Sequence, residues 1–326
     1  MADYKGIKGF KVTSIAGDPT NKVIGDVYYD TTANALKFVG GAAGTWATGT
    51  AINTGRDSAG SSGTKAATLY FGGSPVAVAS GKTELWNGTS WTEMNDMNHV
   101  RYLNGSAGQT QTATFSAGGN KPSEPQAKCE TWDGTNWTEI ADLNTARYCL
   151  RGGAGTSSLG LIAGGASPYM GNTEEWNGTS WSELTAFTTG KGFPRVSGAT
   201  TSAAICTGGT AWPLYYDTCI TWNGTSWTEE NAMTYEAANQ GGSGTTASAL
   251  VWGGESTPGS GAVVATTNKW NGTVWAADSD LGTASGSMSS SSQSATATLS
   301  VGAHPQSTAV EEWTYADTWV KTVTVS

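Results

Sequence analysis

Tryptophan pairs recur along this chain with a period near 45 residues. They fall at Trp86/Trp91, Trp132/Trp137, Trp176/Trp181, Trp222/Trp227, Trp270/Trp275 and Trp313/Trp319, with successive first members 46, 44, 46, 48 and 43 residues apart. A Gly pair precedes each of the first five, from Gly72-Gly73 to Gly253-Gly254, and Gly302-Ala303 takes that place in the sixth. A period of this length suits one four-stranded antiparallel blade, whereas an all-helical repeat would show 3.6-residue periodicity, which is absent.

Four strands can be laid into each unit. In the second, Arg101–Gly105 opens strand a, Thr112–Ala117 is b, Ala127–Trp132 is c and Trp137–Ile140 is d. Between c and d stands Asn-Gly-Thr-Ser or a close variant, and Asn-Gly and Asp-Gly favour tight hairpins because both residues tolerate φ > 0. An even-length turn puts both Trp on one blade face, where they would cement neighbouring blades rather than serve as ligand platforms. The N-terminal segment echoes the pattern: Ala35-Leu36-Lys37-Phe38 with Gly44-Thr45-Trp46 resembles a c–d hairpin, and Ile52-Asn53-Thr54-Gly55-Arg56 resembles the link Leu143-Asn144-Thr145-Ala146-Arg147. Phe10–Ile15 and Val27–Asp30 could add two strands. The expected fold is all-β, a β-propeller of seven blades with an imperfect first one; the alternative is six blades plus an N-terminal stem. The chain then divides into a leader and imperfect blade at 1–55 and six blades at 56–326.

Composition narrows the partners. Gly is 45 of 326 residues and charged residues are 13%, so turns are many and the surface is covered by Ser, Thr and Asn. A net charge of −9 disfavours nucleic acid, whose binding rests on phosphate neutralisation. No run of about 18 apolar residues exists, so no membrane insertion is expected. The start MADYKGIKGFKV has no apolar stretch, and no export signal is expected from it.

Two resemblances follow. The Gly pair ending one strand, followed by a Trp-x-x-x-x-Trp hairpin, is similar to kelch-type β-propellers across residues 56–326, which says little about function. The sixth unit departs from it at Ala303, and Trp stands where kelch repeats often have Tyr. Within 1–55, MADYKGIKGFKVTSIAGDPT and the run Gly25–Phe38 resemble leaders on virion proteins of tailed marine phages. That resemblance implies an appendage or adhesin module assembled in the host cytoplasm. Its N-terminal segment would bind other virion proteins and its variable face a host-surface glycan or protein; homo-oligomers are compatible with it. A purely structural virion component (decoration, collar or baseplate) is the alternative, and a glycan-active enzyme a more distant one.

No catalytic set emerges. Kelch propellers include copper radical oxidases, but only His99 and His304 exist, without metal-like spacing. Glu93, Glu139, Glu183 and Glu229 recur at one repeat position and read as solvated strand residues; Asp278 and Asp280 are a weak calcium signal. No enzyme activity, cofactor or metal is expected. The Asn-Gly-Thr sequons read as turns, since Asp133 replaces Asn in one repeat. Cys129 and Cys219 share a repeat position two blades apart; Cys206 and Cys219 lie on neighbouring strands, so a bridge there is conceivable; Cys149 reads as a small buried residue.

Two groups stand as candidate partner-binding residues. Arg56, Arg101, Arg147 and Arg195 recur at the start of strand a, either capping links by bonding to neighbouring carbonyls or forming a partial positive ring at the channel mouth. The b–c loops (Ser74–Ser80, Asn120–Gln126, Ala166–Asn172, Thr210–Asp217, Glu255–Ala265 and Ala303–Thr308) vary while the c–d turns do not, and every one contains Pro. They carry Tyr169, Trp212, Tyr215 and Tyr216. Varied loops on a uniform scaffold suit recognition, or they have simply drifted.

Overall fold

The computed structural model describes residues 12–18, 27–41, 43–75, 78–121, 124–166, 168–257, 262–290, 294–315 and 318–323. The chain forms two compact units, Thr45–Thr314 and a smaller one of Met1–Gly44 with Tyr315–Ser326.

Thr45–Thr314 holds six four-stranded antiparallel blades, one with an added fifth strand. Blade two shows the pattern: Gly105–Thr110, Ala113–Ala117, Cys129–Trp132 and Trp137–Ile140 are strands a to d. The expected start of strand a at Arg101 moves to Gly105, because Leu103 adopts φ 59° and breaks the extended backbone between them. The left-handed residue recurs once per blade, at Ser58, Leu103, Cys149, Phe193, Asn239 and Ser287. Backbone bonds link these turns from blade to blade: Leu103 N–H donates to Ser58 O, Phe193 to Cys149 O, Ser287 to Asn239 O and Ser58 to Ser287 O, all within 2.7–3.0 Å. The innermost strands also touch in sequence order, and the sixth touches the first. The sheets therefore close into a ring.

The hairpin chemistry explains why the Trp pairs face one way. In Trp132-Asp133-Gly134-Thr135-Asn136-Trp137 the Asp133 carboxylate accepts from the N–H groups of Thr135 and Asn136, both at 2.8 Å, and Gly134 takes φ 99°. Those bonds hold Asp133 below the usual carboxylate range. The four-residue turn leaves Trp132 and Trp137 directly opposite, with ring centroids 5.5 Å apart. The second Trp then reaches the preceding blade. Trp137 packs on Phe71 at 4.8 Å and donates to Thr83 Oγ1 at 2.9 Å; Trp227 does the same with Phe187 and Thr173. The Thr position alternates with cysteine, which accounts for Cys129 and Cys219 at the same place in the repeat. All four cysteines are buried and free.

The sixth pair departs from the expected Trp313/Trp319. Trp313 faces Trp46, supplied by Thr45–Thr48, which is strand d of the last blade. Trp319 instead lies in Thr318–Thr322, paired with Ala35–Gly41 in the smaller unit. Five residues separate Trp313 from Trp319, an odd count with no Asn-Gly or Asp-Gly turn, so a hairpin there would set the rings on opposite faces. Ala35–Phe38 and Thr45–Trp46 thus belong to different sheets, and among the described residues Thr45–Thr314 holds six sheets of four or more strands. The two compact units meet in sequence at Gly44/Thr45 and at Thr314/Tyr315.

The smaller unit is one sheet of Thr13–Ile15, Val27–Asp30, Ala35–Gly41 and Thr318–Thr322, its first pair parallel. Phe10 and Lys11, expected to extend the first strand, lie outside the described residues, as does Gly25. Asp30 organises the turn that follows it by accepting from the N–H groups of Gly17, Thr32 and Ala33. Lys37 pairs with it at 2.8 Å, and that bond, with the backbone donors, holds its carboxyl well below the usual range.

Candidate binding face

One end of the ring carries both the d–a links and the b–c loops. Six equivalent bridges join them: Asp57 to Ser74, Tyr102 to Asn120, Tyr148 to Ala166, Gly192 to Thr210, Ala238 to Glu255 and Gly286 to His304. The Gly pair makes this junction possible. A Cβ on Gly72 would lie 2.8 Å from Arg101 O, and one on Gly73 2.6 Å from Asp57 O.

The arginines separate into two sets. The residue whose N–H donates to the preceding b–c loop is Arg56, Arg101, Arg147, Lys191, Ala237 and Ser285 in turn. Arg56, Arg101 and Arg147 are fully buried, and each pairs with a buried glutamate on strand c of the blade it enters: Glu84, Glu130 and Glu174. They present no guanidinium at a channel mouth. Arg56 and Arg101 also donate to the carbonyls of Gly72 and Gly118, which is the link-capping alternative. The link motif now has a reason. Asn144 donates its backbone and side-chain N–H to Glu174 at 2.8 and 2.9 Å, and Arg147 binds the other carboxylate oxygen. Asn53 and Asn98 repeat this with Glu84 and Glu130. Sequence reasoning passed over these glutamates because they alternate along strand c like any strand residue.

Arg195 is not the fourth member; Lys191 is. Arg195 lies four residues further on, and its counterpart in blade three is Arg151, with which it pairs across the inner strands. Both are buried near the ring axis. Arg151 donates to Asn239 Oδ1 at 2.6 Å and Ser58 Oγ at 3.3 Å, reaching blades five and one.

The aromatic candidates also divide. Trp212 is 57% exposed and Tyr169 39%, with Leu214 at 59% beside Trp212. Trp212 sits at the tip of a small hairpin formed by Thr210–Ala211 and Leu214–Tyr215. Tyr215 is only 9% exposed, and its hydroxyl donates to Glu255 Oε2 at 3.1 Å. Burial first, then that carboxylate, push it up to about 12. Tyr216 is half-buried under the Lys191 ammonium. The structure thus gathers Trp212, Leu214 and Tyr169 on blades three and four and withdraws Tyr215 and Tyr216 into support. Pro122, Pro258 and parts of four of the six b–c loops lie outside the described residues.

Among the described residues no group of three or more His, Cys, Asp or Glu side chains is placed to hold a metal ion. Neither a protein-family model nor a curated protein matches the chain. Among solved structures it is similar to YjhT, whose fold is of the kelch/β-propeller type. The TM-score is 0.64 at 11% identity, over 84% of this chain and 97% of that one. The chain has a β-propeller-like fold. At that identity the likeness speaks to fold alone, and the propeller carries the face just described.

Proposed function

We propose that this propeller is a non-enzymatic recognition module of a phage virion, an appendage or adhesin whose b–c loop face contacts a host-surface glycan. One observation carries the recognition part: Trp212, Leu214 and Tyr169 stand exposed on neighbouring loops, while the c–d turns at the other end repeat one Asx-turn design. Large rigid side chains at a loop tip give contact area at little entropic cost, and a flat indole suits stacking on a sugar ring. The virion part rests on the leader within residues 1–55, whose sequence resembles virion-protein leaders. Arg56, Arg101 and Arg147 take no part in contact, since all three side chains are buried and each is paired with a strand-c glutamate.

The test is binding of the labelled full chain to an array of bacterial surface glycans, beside a Trp212→Ser/Tyr169→Ser variant. Retention of a specific glycan by the parent and at least a tenfold loss in the variant are expected. Equal binding by both would remove the face from the proposal. A leader deletion of residues 1–24 that still enters particles would remove the attachment role, leaving a structural shell component as the reading.

A further inference from the structure

The ring axis contains two arginines that form no direct ion pair among the described residues; the Asp57 and Glu255 carboxylates act on Arg151 from further off, and Asn239 bridges it to Glu255. Arg151 and Arg195 are Cα neighbours on the inner strands of blades three and four, 3% and 8% exposed. Unlike Arg56, Arg101 and Arg147, neither has a carboxylate within ion-pair distance among the described residues. Arg151 at least has four polar contacts, to Asn239 Oδ1 through two nitrogens, Ser58 Oγ and Ser287 O. Arg195 has one hydrogen-bond partner among the described residues, Ser290 Oγ on blade six. That hydroxyl in turn donates to Gly242 O on blade five. The Arg195 Nε is buried and has no hydrogen-bond partner among the described residues.

Among the described residues, Arg195 packs closely against two glycines. Its guanidinium carbon lies against Gly152 of blade three and its Cγ against Gly242 of blade five, so a Cβ on either glycine would sit 3.1 and 2.7 Å from them. Burial pushes its pKa down to about 9, and the charge of Arg151 adds to that effect. A buried charged group without a counter-charge is strongly unfavourable. The guanidinium fork offers parallel N–H donors matched to two oxygens of one oxyanion.

We propose that the axial channel binds one small oxyanion of the size and charge of phosphate or sulfate, held by the Arg195 guanidinium with Arg151 as the second positive charge. The site is internal and separate from the loop face. Four blades contribute to it: three and four supply the charges, five and six the Gly242 and Ser290 oxygens that orient Arg195. A bound anion would tie these blades together and favour the closed ring over the open chain.

Thermal unfolding of the full chain against inorganic phosphate, at constant ionic strength balanced with gluconate, tests this. A ligand that binds only the folded state raises Tm along a saturating curve. Saturation in the parent, at least a tenfold weaker apparent affinity in Arg195→Gln, and no change in Lys128→Gln on the outer surface are expected. A non-saturating rise of equal slope in parent and Arg195→Gln would overturn the proposal. So would an equal loss in Lys128→Gln, or saturation by chloride at lower concentration than phosphate. Should Arg195→Gln fail to fold, calorimetric titration of phosphate into the parent decides: a one-to-one saturable heat supports the site, and its absence overturns it.

Discussion

Blades one to three and blades four to six solve the same structural problem differently. Each blade must anchor the incoming link to its own strand c. The first three use a buried Arg–Glu pair plus an Asn that caps the same carboxylate. Blade four has Lys191 and Ile220 there, with the Lys191 ammonium donating to Thr218 Oγ1 at 2.6 Å. Blade five uses Asn268, which accepts from the Thr234 N–H and hydroxyl, and blade six uses Glu311, which accepts from the N–H groups of Gly282 and Thr283. The link conformation is the same in all six, down to the left-handed residue two positions on. The backbone geometry thus does not depend on the ion pair. The pair is one of several ways to satisfy link N–H groups that would otherwise be buried without acceptors.

The largest effect should come from breaking that comparison on one side only. Arg101→Met leaves Glu130 charged and buried, and should cost about 3–5 kcal/mol in chemical denaturation. Lys191→Met leaves no carboxylate behind and should fall within about 1 kcal/mol of the parent. Equal losses would mean that burial of the cation, not the stranded anion, sets the cost. Transplanting the blade-four solution into blade two, Arg101→Lys and Glu130→Ile with Lys128→Thr in place of the Thr218 acceptor, should recover at least half of the Arg101→Met loss. A transplant as unstable as Arg101→Met would show that Glu130 is indispensable there as acceptor for Asn98 and for the His99 N–H, which donates to it at 3.0 Å.

A smaller contrast lies in the blade-to-blade contacts. Trp137 donates to the Thr83 hydroxyl, whereas Trp275 faces the Cys219 thiol and has no oxygen or nitrogen acceptor. Trp137→Phe should therefore exceed Trp275→Phe by about 0.5–1.5 kcal/mol, the net worth of one hydrogen bond. Parity between them would assign the cement entirely to ring packing. Smallest of all, Cys129 and Cys219 should both resist a thiol reagent in the folded protein. Burial pushes each up to about 12, so almost no thiolate exists at neutral pH. Labelling of one but not the other under native conditions would show that one half of the ring opens first.

The sequence displayed what repeats locally and concealed what joins distant segments. The Gly pair, the Asx turn and the Trp facing each other are short-range, so period and turn chemistry revealed the blade and the direction of its Trp faces. The sixth hairpin misled because Trp-x-x-x-x-x-Trp looks nearly like the others, and a strand d borrowed from Thr45–Thr48 leaves no local trace beyond Trp46. Among the arginines, the repeat aligned Arg195 with Arg147 when Lys191 holds that place; a four-residue shift is invisible when a basic residue stands at both positions. Arg151 was passed over for the same reason, standing four residues after Arg147. The exposed Trp212 was legible as a loop aromatic, but not the withdrawal of Tyr215, which depends on Glu255 from the next blade.

Ring closure by an early strand also sets a schedule for synthesis. Thr48, the last residue of Thr45–Thr48, leaves the ribosome 263 residues before its partner Glu311. At translation rates of about 5–20 residues per second that is roughly 13–53 s. During this interval the strand waits with unpaired backbone groups, a surface on which another nascent chain could pair. Blades one to five can form in order as they emerge, but the seam must wait for both of its edges. Thr45, Ala47 and Thr48 are exposed even after closure, so the waiting segment shows Thr and Ala to solvent rather than a continuous apolar strip. A chain halted before residue 310 would carry most of its blades and still be an open arc.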